Sequence, residues 1–200
     1  MKGLLLPMFK FLPDIQWQVT RYTSIEQALV IFIKSNDQQA FEYIFEEISD
    51  DLYHYLTTLS DLNLAQDISQ KTWFKLIDNP KSFLHKHSLK AWLFVVARNA
   101  LFDEFKKTDP LYLDKGELEN KLNNNDQYIV EFEYSDNETE GAFNLALKQL
   151  SFTQKEAFCL QQDGFSIEDI ANITNSNKET IKTRIRYAKQ NLKKLLEQLL

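Results

Sequence analysis

Glycine, proline, cysteine and histidine are all scarce in this chain. Four Gly, four Pro, three His and a single Cys are spread over 200 residues. So few turn-forming residues disfavour a fold built from hairpins, while the abundance of Leu, Lys, Glu, Gln and Ala favours long helices. The sequence therefore predicts an all-α protein.

The lone Cys159 has no second cysteine with which to form a disulfide, so nothing indicates an oxidising compartment. It lies in an apolar-periodic segment and is expected to be a small buried hydrophobe. A helical metalloenzyme would have to combine Cys159 with His54, His85 and His87. That set lacks the i, i+4 or Cys-x-x-Cys spacing that closes a zinc site, and we expect no metal and no cofactor.

Long apolar runs are also missing. The opening stretch "MKGLLLPMFKFLP" is similar to the start of a signal peptide, but Pro7, Lys10 and Pro13 interrupt it before the roughly 7 to 15 apolar residues that such a peptide needs. No later stretch approaches the roughly 18 apolar residues of a membrane span. We expect a cytoplasmic chain without membrane insertion, and residues 1–23 receive no role.

Charge is present but unevenly placed. The formal net charge is −6, and residues 108–141 alone hold ten acidic and two basic side chains. This segment contains Pro110, Gly116 and an Asn run without sustained periodicity, which is typical of a solvated linker. The sequence thus predicts an N-terminal extension (1–23), a helical domain (24–107), an acidic linker (108–141) and a second small helical domain (142–200).

Periodicity divides the first domain into helices. The segments are "SIEQALVIFIK", capped by Thr23 or Ser24 with Glu26 as the capping-box partner of Thr23, then "DQQAFEYIFEEI", "DLYHYLTTLS", "LAQDISQKTWFKLI" and "LKAWLFVVARNALFDEFKK". The break "DNPKSFLHKHS" reads as a loop. The fourth segment is expected to expose Asp67, Gln70 and Lys71 and to bury four apolar side chains: Leu64, Ile68, Phe74 and Ile77.

The second domain has two pairs at capping-box spacing, Thr153 with Glu156 and Ser166 with Asp169, and Gly164 between them suits a helix C-terminus. A short helix "SIEDIANI", the turn "TNSN" and a longer helix then follow. That order predicts a helix-turn-helix, whose second helix enters the DNA major groove.

The longer helix carries the stretch "KETIKTRIRYAKQNLKK", residues 178–194, with seven basic residues and one acidic residue in an otherwise acidic chain. Its apolar residues recur at spacings of four and three and predict one buried stripe of Ile181, Ile185, Ala188, Leu192 and Leu195. Positive charge on another side of the same helix suits a phosphate backbone.

Taken in order, these motifs resemble the extracytoplasmic-function sigma factors of bacterial RNA polymerase, over about residues 35–107 and 142–197. The residues that carry the resemblance are "DQQAF", "AQDISQKTWFKL" and "KAWLFVVARNALFDEFKK" in the first domain and "LSFTQKEAF", "SIEDIA" and "TIKTRIRYAKQNLKKLL" in the second. The resemblance implies two helical domains that bind core RNA polymerase and bridge promoter DNA, without catalysis. It allows an anti-sigma factor as a further partner.

Residue roles follow from this resemblance and from the chemistry of the side chains. The helix 64–77 is expected to bind core polymerase through Asp67, Gln70 and Trp73. The loop 78–88 and the helix after it are expected to bind and open the minus-ten DNA with ten residues: Asn79, Phe83, His85, Lys86, His87, Lys90, Arg98, Asn99, Lys106 and Lys107.

The second domain is expected to bind the minus-thirty-five element. Its contact residues are Ser166, Lys178, Thr180, Lys182, Thr183, Arg184, Arg186 and Lys189, with Arg184 as the main reader of base edges and Lys189 as a phosphate contact. A helix-turn-helix regulator that acts without core polymerase is the alternative. It explains the basic helix but leaves "AQDISQKTWFKL" and "AWLFVVARN" as ordinary core.

Overall fold

The computed structural model describes residues 22–83, 88–108 and 138–199, and the regular structure in these ranges is helical. Eight α-helices follow one another along the described chain, joined after α3 by a short 3₁₀ turn, Pro80–Phe83. Their bounds are α1 Ile25–Ser35, α2 Gln38–Leu59, α3 Leu62–Asp78, α4 Leu89–Thr108, α5 Glu138–Lys148, α6 Phe152–Gln162, α7 Ile167–Thr174 and α8 Lys178–Leu199. The prediction of an all-α fold is confirmed.

Local hydrogen bonds account for the first helix boundaries. Ser24 caps α1 by accepting from the Gln27 backbone N–H, and the Gln27 side chain in turn accepts from the Thr23 backbone N–H at 2.7 Å. Gln27 therefore makes the contact with the Thr23 backbone that the sequence predicted for Glu26. Asn36 ends α1 in the left-handed region at φ 52°, and Asp37 caps α2. The next 22 residues form one helix, where the sequence indicated two.

The phase of α3 differs from the sequence-based expectation. Ile68 and Leu76 are fully buried, whereas Phe74 and Ile77 are 53% and 43% exposed. Phe74 and Ile77 were expected inside because they are apolar. The buried side of α3 consists instead of Ala65, Ile68, Ser69, Thr72, Trp73 and Leu76.

The helix-turn-helix has the caps that its sequence predicts. Gly164 adopts φ +85° after α6, and Ser166 and Asp169 form a complete capping box at the start of α7. Asn175 ends α7 in the left-handed region, and the Asn177 side chain accepts from the Thr180 backbone N–H to start α8. The box predicted for Thr153 and Glu156 is wrong: α6 begins after Ser151, and Glu156 is fully buried further along the helix.

One apolar cluster connects the two halves of the described chain. It joins residues of α1 to α4 with Phe152, Leu160, Phe165 and Ile170 of the second half. The helices α6 and α7 pack on α2 and α4, respectively. A smaller cluster, which includes Leu147, Phe158, Cys159 and Leu192, holds α5, α6 and α8 together. The division into two domains stays a prediction, since residues 109–137 of the expected linker lie outside the described ranges.

No helix in the described ranges is long and apolar enough to cross a membrane. Cys159 is buried, as expected from the sequence, and burial raises the pKa of its thiol to about 12. The thiol therefore stays protonated at neutral pH and behaves as part of the core.

Candidate nucleic-acid interface

The basic helix α8 buries one stripe and exposes most of its cations. Ile181, Ile185, Ala188 and Leu192 are buried, and Leu195 packs against the smaller apolar cluster, which confirms the predicted stripe. On one flank of this stripe lies a row that we call the cation row. Its members, four or three residues apart and all exposed, are Lys178, Lys182, Arg186, Lys189 and Lys193.

Ion pairs along the cation row are exposed and therefore weak. Lys178 lies 3.1 Å from Glu168 and Lys182 lies 2.7 Å from Glu179, with more than half of every one of these side chains in solvent. Exposed pairs of this kind contribute roughly 0 to 1 kcal/mol. Phosphates of a DNA backbone can therefore replace these carboxylates at little cost.

Arg184 lies on the other flank of the buried stripe. It is half-buried, and its Nη1 donates to the hydroxyl of Ser176 in the turn between α7 and α8 at 3.1 Å. Together with Thr180, Thr183, Tyr187 and residues of α6, it lines a shallow cavity of about 350 Å³. Arg184 and the cation row thus face different directions, a separation that the spacing of charges alone did not reveal.

Ser166 is occupied by its own cap. Its hydroxyl donates to the Asp169 carboxylate at 2.6 Å and accepts from the Asp169 backbone N–H at 3.1 Å. The predicted contact of Ser166 with DNA would require a hydroxyl donation to a phosphate in place of the bond to Asp169.

The structure places the predicted minus-ten residues in different environments. Asn79 is exposed at the end of α3, Asn99 is half-buried on α4, and Lys106 and Lys107 lie in the last turn of α4. Lys107 donates to Glu104 at 2.9 Å, and together with Lys71 it lowers the pKa of that carboxyl. His85, Lys86, His87 and the side chain of Phe83 lie outside the described residues.

Two other predicted minus-ten cations are bound by groups of the protein in this arrangement: Arg98 is buried and Lys90 is half-buried. Arg98 is 1% exposed, and its Nε and Nη2 donate to Glu156 of α6 at 2.7 and 3.2 Å. Lys90 donates to Asp51 at 2.6 Å and to the backbone carbonyl of Asp163 at 3.0 Å. Sequence reasoning missed Glu156 as a partner; the available signal was an acidic residue directly before the apolar run "AFCL".

The exposed side of α3 forms a second candidate surface. Asp67 and Gln70 are exposed as predicted, and Phe74 continues their row. Trp73 does not: it is 5% exposed, with its ring 4.8 Å from that of Phe45. The placement of Trp73 on the exposed row is therefore corrected, and Phe74 is the large aromatic side chain that this surface presents.

Comparison with known proteins identifies the family. The family model for Sigma-70 region 2 matches residues 44–110. The ECF RNA polymerase sigma factor EcfG of Rhodopseudomonas palustris (strain TIE-1) is 31% identical over 134 residues, which cover 66% of this chain and 71% of that protein. The chain belongs to the ECF family of RNA polymerase sigma factors.

Two other sigma factors match over more of their length. SigW of Bacillus subtilis (strain 168) is 25% identical over 176 residues, which cover 84% of this chain and 94% of SigW. The sigma factor RpoE of Bartonella quintana, solved in complex with the anti-sigma factor NepR, aligns with a TM-score of 0.63 and 28% identity. That alignment covers 80% of this chain and 98% of RpoE.

A second solved structure, CnrH in complex with the cytosolic domain of CnrY, shares the fold at a TM-score of 0.58 and 18% identity. The function inferred from the motifs, that of an RNA polymerase sigma factor, is thus confirmed for this ECF chain.

Proposed function

We propose that α8 recognises the minus-thirty-five element and that its cation row binds the DNA backbone. The observation that carries this assignment is the exposed row itself, which lies on the second helix of a capped helix-turn-helix. In this motif the N-terminal part of the second helix lies against base edges. The first turns of α8 therefore hold the groove contacts, with Lys178, Lys182 and Thr183 exposed there.

Arg184 is the candidate base reader and acts from a fixed position. Its bond to Ser176 restrains the guanidinium at the start of α8, and a planar guanidinium matches the two acceptors of a guanine edge better than an ammonium does. Lys189 and Lys193 lie further along the helix and contribute charge without regard to sequence.

For core polymerase, we propose the exposed side of α3. Asp67 and Gln70 supply polar contacts and Phe74 supplies an aromatic anchor that is more than half exposed. Aromatic side chains beside polar groups are enriched among residues that dominate binding energy. Trp73, on the buried side of α3, then stabilises this helix by packing in the core.

For the minus-ten DNA, we propose α4 and the loop before it. Lys106 and Lys107 supply charge at the end of α4, and the loop residues Phe83, His85 and His87 supply rings on which unstacked bases can lie. Lys90 and Arg98, which also lie on α4, complete the proposed set of minus-ten contacts. The chain then acts by binding and not by catalysis, in the cytoplasm with the polymerase, through domains at 24–107 and 142–200.

An anti-sigma factor is a further proposed partner. The similarity to RpoE of Bartonella quintana, a sigma factor solved with the anti-sigma factor NepR, supports it.

Reconstitution with core polymerase tests this function. Run-off transcription from a genomic fragment library should give start sites that depend on this chain, and aligned start sites should reveal both promoter elements. Lys182→Ala should reduce transcription, whereas Lys34→Ala, which removes an exposed lysine of α1, should not. Sequence-specific DNA binding in the absence of core polymerase, with no dependent transcripts in its presence, would favour the stand-alone regulator instead.

A further inference from the structure

Tyr187 is an aromatic side chain that α8 exposes between its basic residues. It is 46% exposed, whereas Ile181, Ile185 and Leu192 of the same helix are buried. The ring belongs neither to the buried stripe nor to the cation row. On a helix proposed to lie in the major groove, an exposed ring gains free energy when an apolar group of the DNA covers it.

Tyr187 lies beside Thr183 and Arg184 on α8. Residues that are three or four positions apart are neighbours on the surface of a helix, and all three side chains line the shallow cavity of about 350 Å³ between α8 and α6. Arg184 is restrained there by its hydrogen bond to Ser176. The ring of Tyr187 is thus next to the proposed base reader.

The spacing of Arg184 and Tyr187 matches one step along DNA. An α-helix rises about 1.5 Å per residue, so the two residues are about 4.5 Å apart along the axis of α8. Successive base pairs of B-DNA are about 3.4 Å apart. A helix that lies along the major groove therefore brings these two side chains to adjacent base pairs.

Arg186 restrains the ring of Tyr187 from the side of the cation row. Its guanidinium carbon lies 5.0 Å from the ring centroid, within the range of a cation–π contact. Arg186 is exposed and is one of the residues proposed to bind the DNA backbone. This contact reduces the conformational freedom that the ring would lose when α8 binds DNA.

A tyrosine ring suits a different feature of a base pair than arginine does. Guanine presents two acceptors in the major groove, which match the guanidinium of Arg184. Thymine presents a C5 methyl group, the one apolar group on the major-groove edge of any of the four bases, and this group suits contact with a ring. Covering one methyl group raises affinity by about fourfold.

We infer that Tyr187 is a specificity-determining residue of α8, whose ring packs on the C5 methyl group of a thymine in the minus-thirty-five element. That thymine belongs to the base pair adjacent to the one that Arg184 contacts. The inference rests on the proposed assignment of α8 to the minus-thirty-five element. It adds an apolar contact to an interface otherwise built from charges and hydrogen bonds.

Deoxyuridine substitution in promoter DNA tests this contact, because deoxyuridine lacks only the C5 methyl group of thymidine. Each thymine of the minus-thirty-five element, identified from aligned start sites, is replaced in turn, and fluorescence titration measures the affinity of the holoenzyme. One replacement, next to the base pair at which Arg184→Ala relaxes the preference, should weaken binding by the unchanged chain about fourfold. Tyr187→Ala should bind the two fragments equally, and Tyr187→Phe should keep most of the difference.

Lys189→Ala is the matched control. It removes an exposed cation of the same helix, so it should weaken binding to both fragments alike and keep the fourfold ratio between them. Circular dichroism should show the helix content of the unchanged chain in every variant, because the side chains that are replaced at 187 and 189 are exposed.

Two results would overturn the inference. One is a minus-thirty-five element in which no deoxyuridine replacement weakens binding by the unchanged chain, and the other is a deoxyuridine penalty that persists in Tyr187→Ala. Both leave the proposed function in place as long as Lys189→Ala and Arg184→Ala weaken DNA binding. If neither of those variants altered DNA binding, the assignment of α8 to the minus-thirty-five element would itself be refuted.

Discussion

Trp73 and Phe74 are adjacent in sequence and lie on different sides of α3. Trp73 is 5% exposed and packs edge-on against Phe41, with 6.1 Å between ring centroids, whereas Phe74 is 53% exposed. Trp73 therefore fills the core, whereas the ring of Phe74 is available to a binding partner.

Phe74→Ala is expected to weaken binding to core polymerase by roughly tenfold or more, because a half-exposed aromatic ring beside Asp67 and Gln70 is a typical anchor. The free energy of unfolding should change little. Competition between labelled and unlabelled chains for core polymerase measures the affinity. Val30→Ala, at another apolar side chain that is 39% exposed, is the control and should leave the affinity unchanged. Equal affinities for Phe74→Ala and the unchanged chain would remove α3 from the interface.

Trp73→Ala should act in the opposite way, lowering the free energy of unfolding by roughly 3 to 5 kcal/mol through the cavity it leaves. Trp73→Phe should cost much less, since the indole Nε1 has no hydrogen-bond partner among the described residues. Urea unfolding measures both. A cost of Trp73→Phe close to that of Trp73→Ala would mean that the indole N–H has a partner after all.

The sequence correctly predicts the buried face of a helix where the apolar residues alone decide which face is buried. The buried stripe of α8 was predicted because its apolar residues recur with the helical period and their neighbours are charged. On α3 the same reasoning failed, because Phe74 and Ile77 are apolar yet lie on the face that the rest of the protein leaves uncovered. Hydrophobicity alone does not tell whether an apolar face meets the core or a partner.

The long-range ion pair of Arg98 and Glu156 could not be predicted from the sequence, for a different reason. Thr153 and Glu156 have capping-box spacing, but Glu156 is the partner of Arg98, which lies 58 residues away. Local spacing cannot reveal such a pair, because it exists only once α6 packs on α4. The short-range box of Ser166 and Asp169 was predicted correctly, since both of its bonds lie within one turn of helix.

Asp163 should make stability depend on pH. Burial, and then the nearby Asp51 carboxylate, raise the pKa of Asp163 from 3.8 to about 7, with Lys90 opposing them. Between these values the folded state binds more protons than the unfolded state, so the Asp163 contribution to the free energy of unfolding falls as pH rises from about 4 to 7 and levels off above 7.

Asp163→Asn should remove this contribution and raise the thermal midpoint at pH 8 more than at pH 4. Thermal unfolding followed by circular dichroism across that range measures it. Asp50→Asn, at an exposed carboxyl of α2, is the control and should follow the unchanged chain. If the midpoint of Asp163→Asn differed from that of the unchanged chain equally at both pH values, titration of Asp163 would not be the cause.

Gly164 and Gly141 should respond to alanine with opposite signs. Gly164 has φ +85° and Gly141 lies within α5, and a Cβ added at either would meet no atom within 4 Å. Gly164→Ala should therefore lower the free energy of unfolding by about 1 kcal/mol through the backbone alone. Gly141→Ala should raise it by about 0.5 to 1 kcal/mol through helix propensity. Urea unfolding of both variants would contradict this explanation if the two changes had the same sign.

Lys189 and Arg184, on different flanks of the buried stripe of α8, should differ in what they do to DNA recognition. Lys189 is exposed in the cation row, so Lys189→Ala should weaken binding to all sequences alike and lower the salt slope by roughly 0.9 for one lost phosphate contact.

Arg184→Ala should instead relax the preference at particular base pairs, by about 1 to 3 kcal/mol for a lost bidentate contact. Ser176→Ala removes one hydrogen bond of Arg184 while keeping its guanidinium and should give a smaller loss of preference at the same base pairs. Fluorescence titrations of the holoenzyme against promoter fragments with single base-pair changes, at several salt concentrations, separate these effects. If Arg184→Ala produced only a uniform, salt-dependent loss like that of Lys189→Ala, Arg184 would be a phosphate contact and would not read bases.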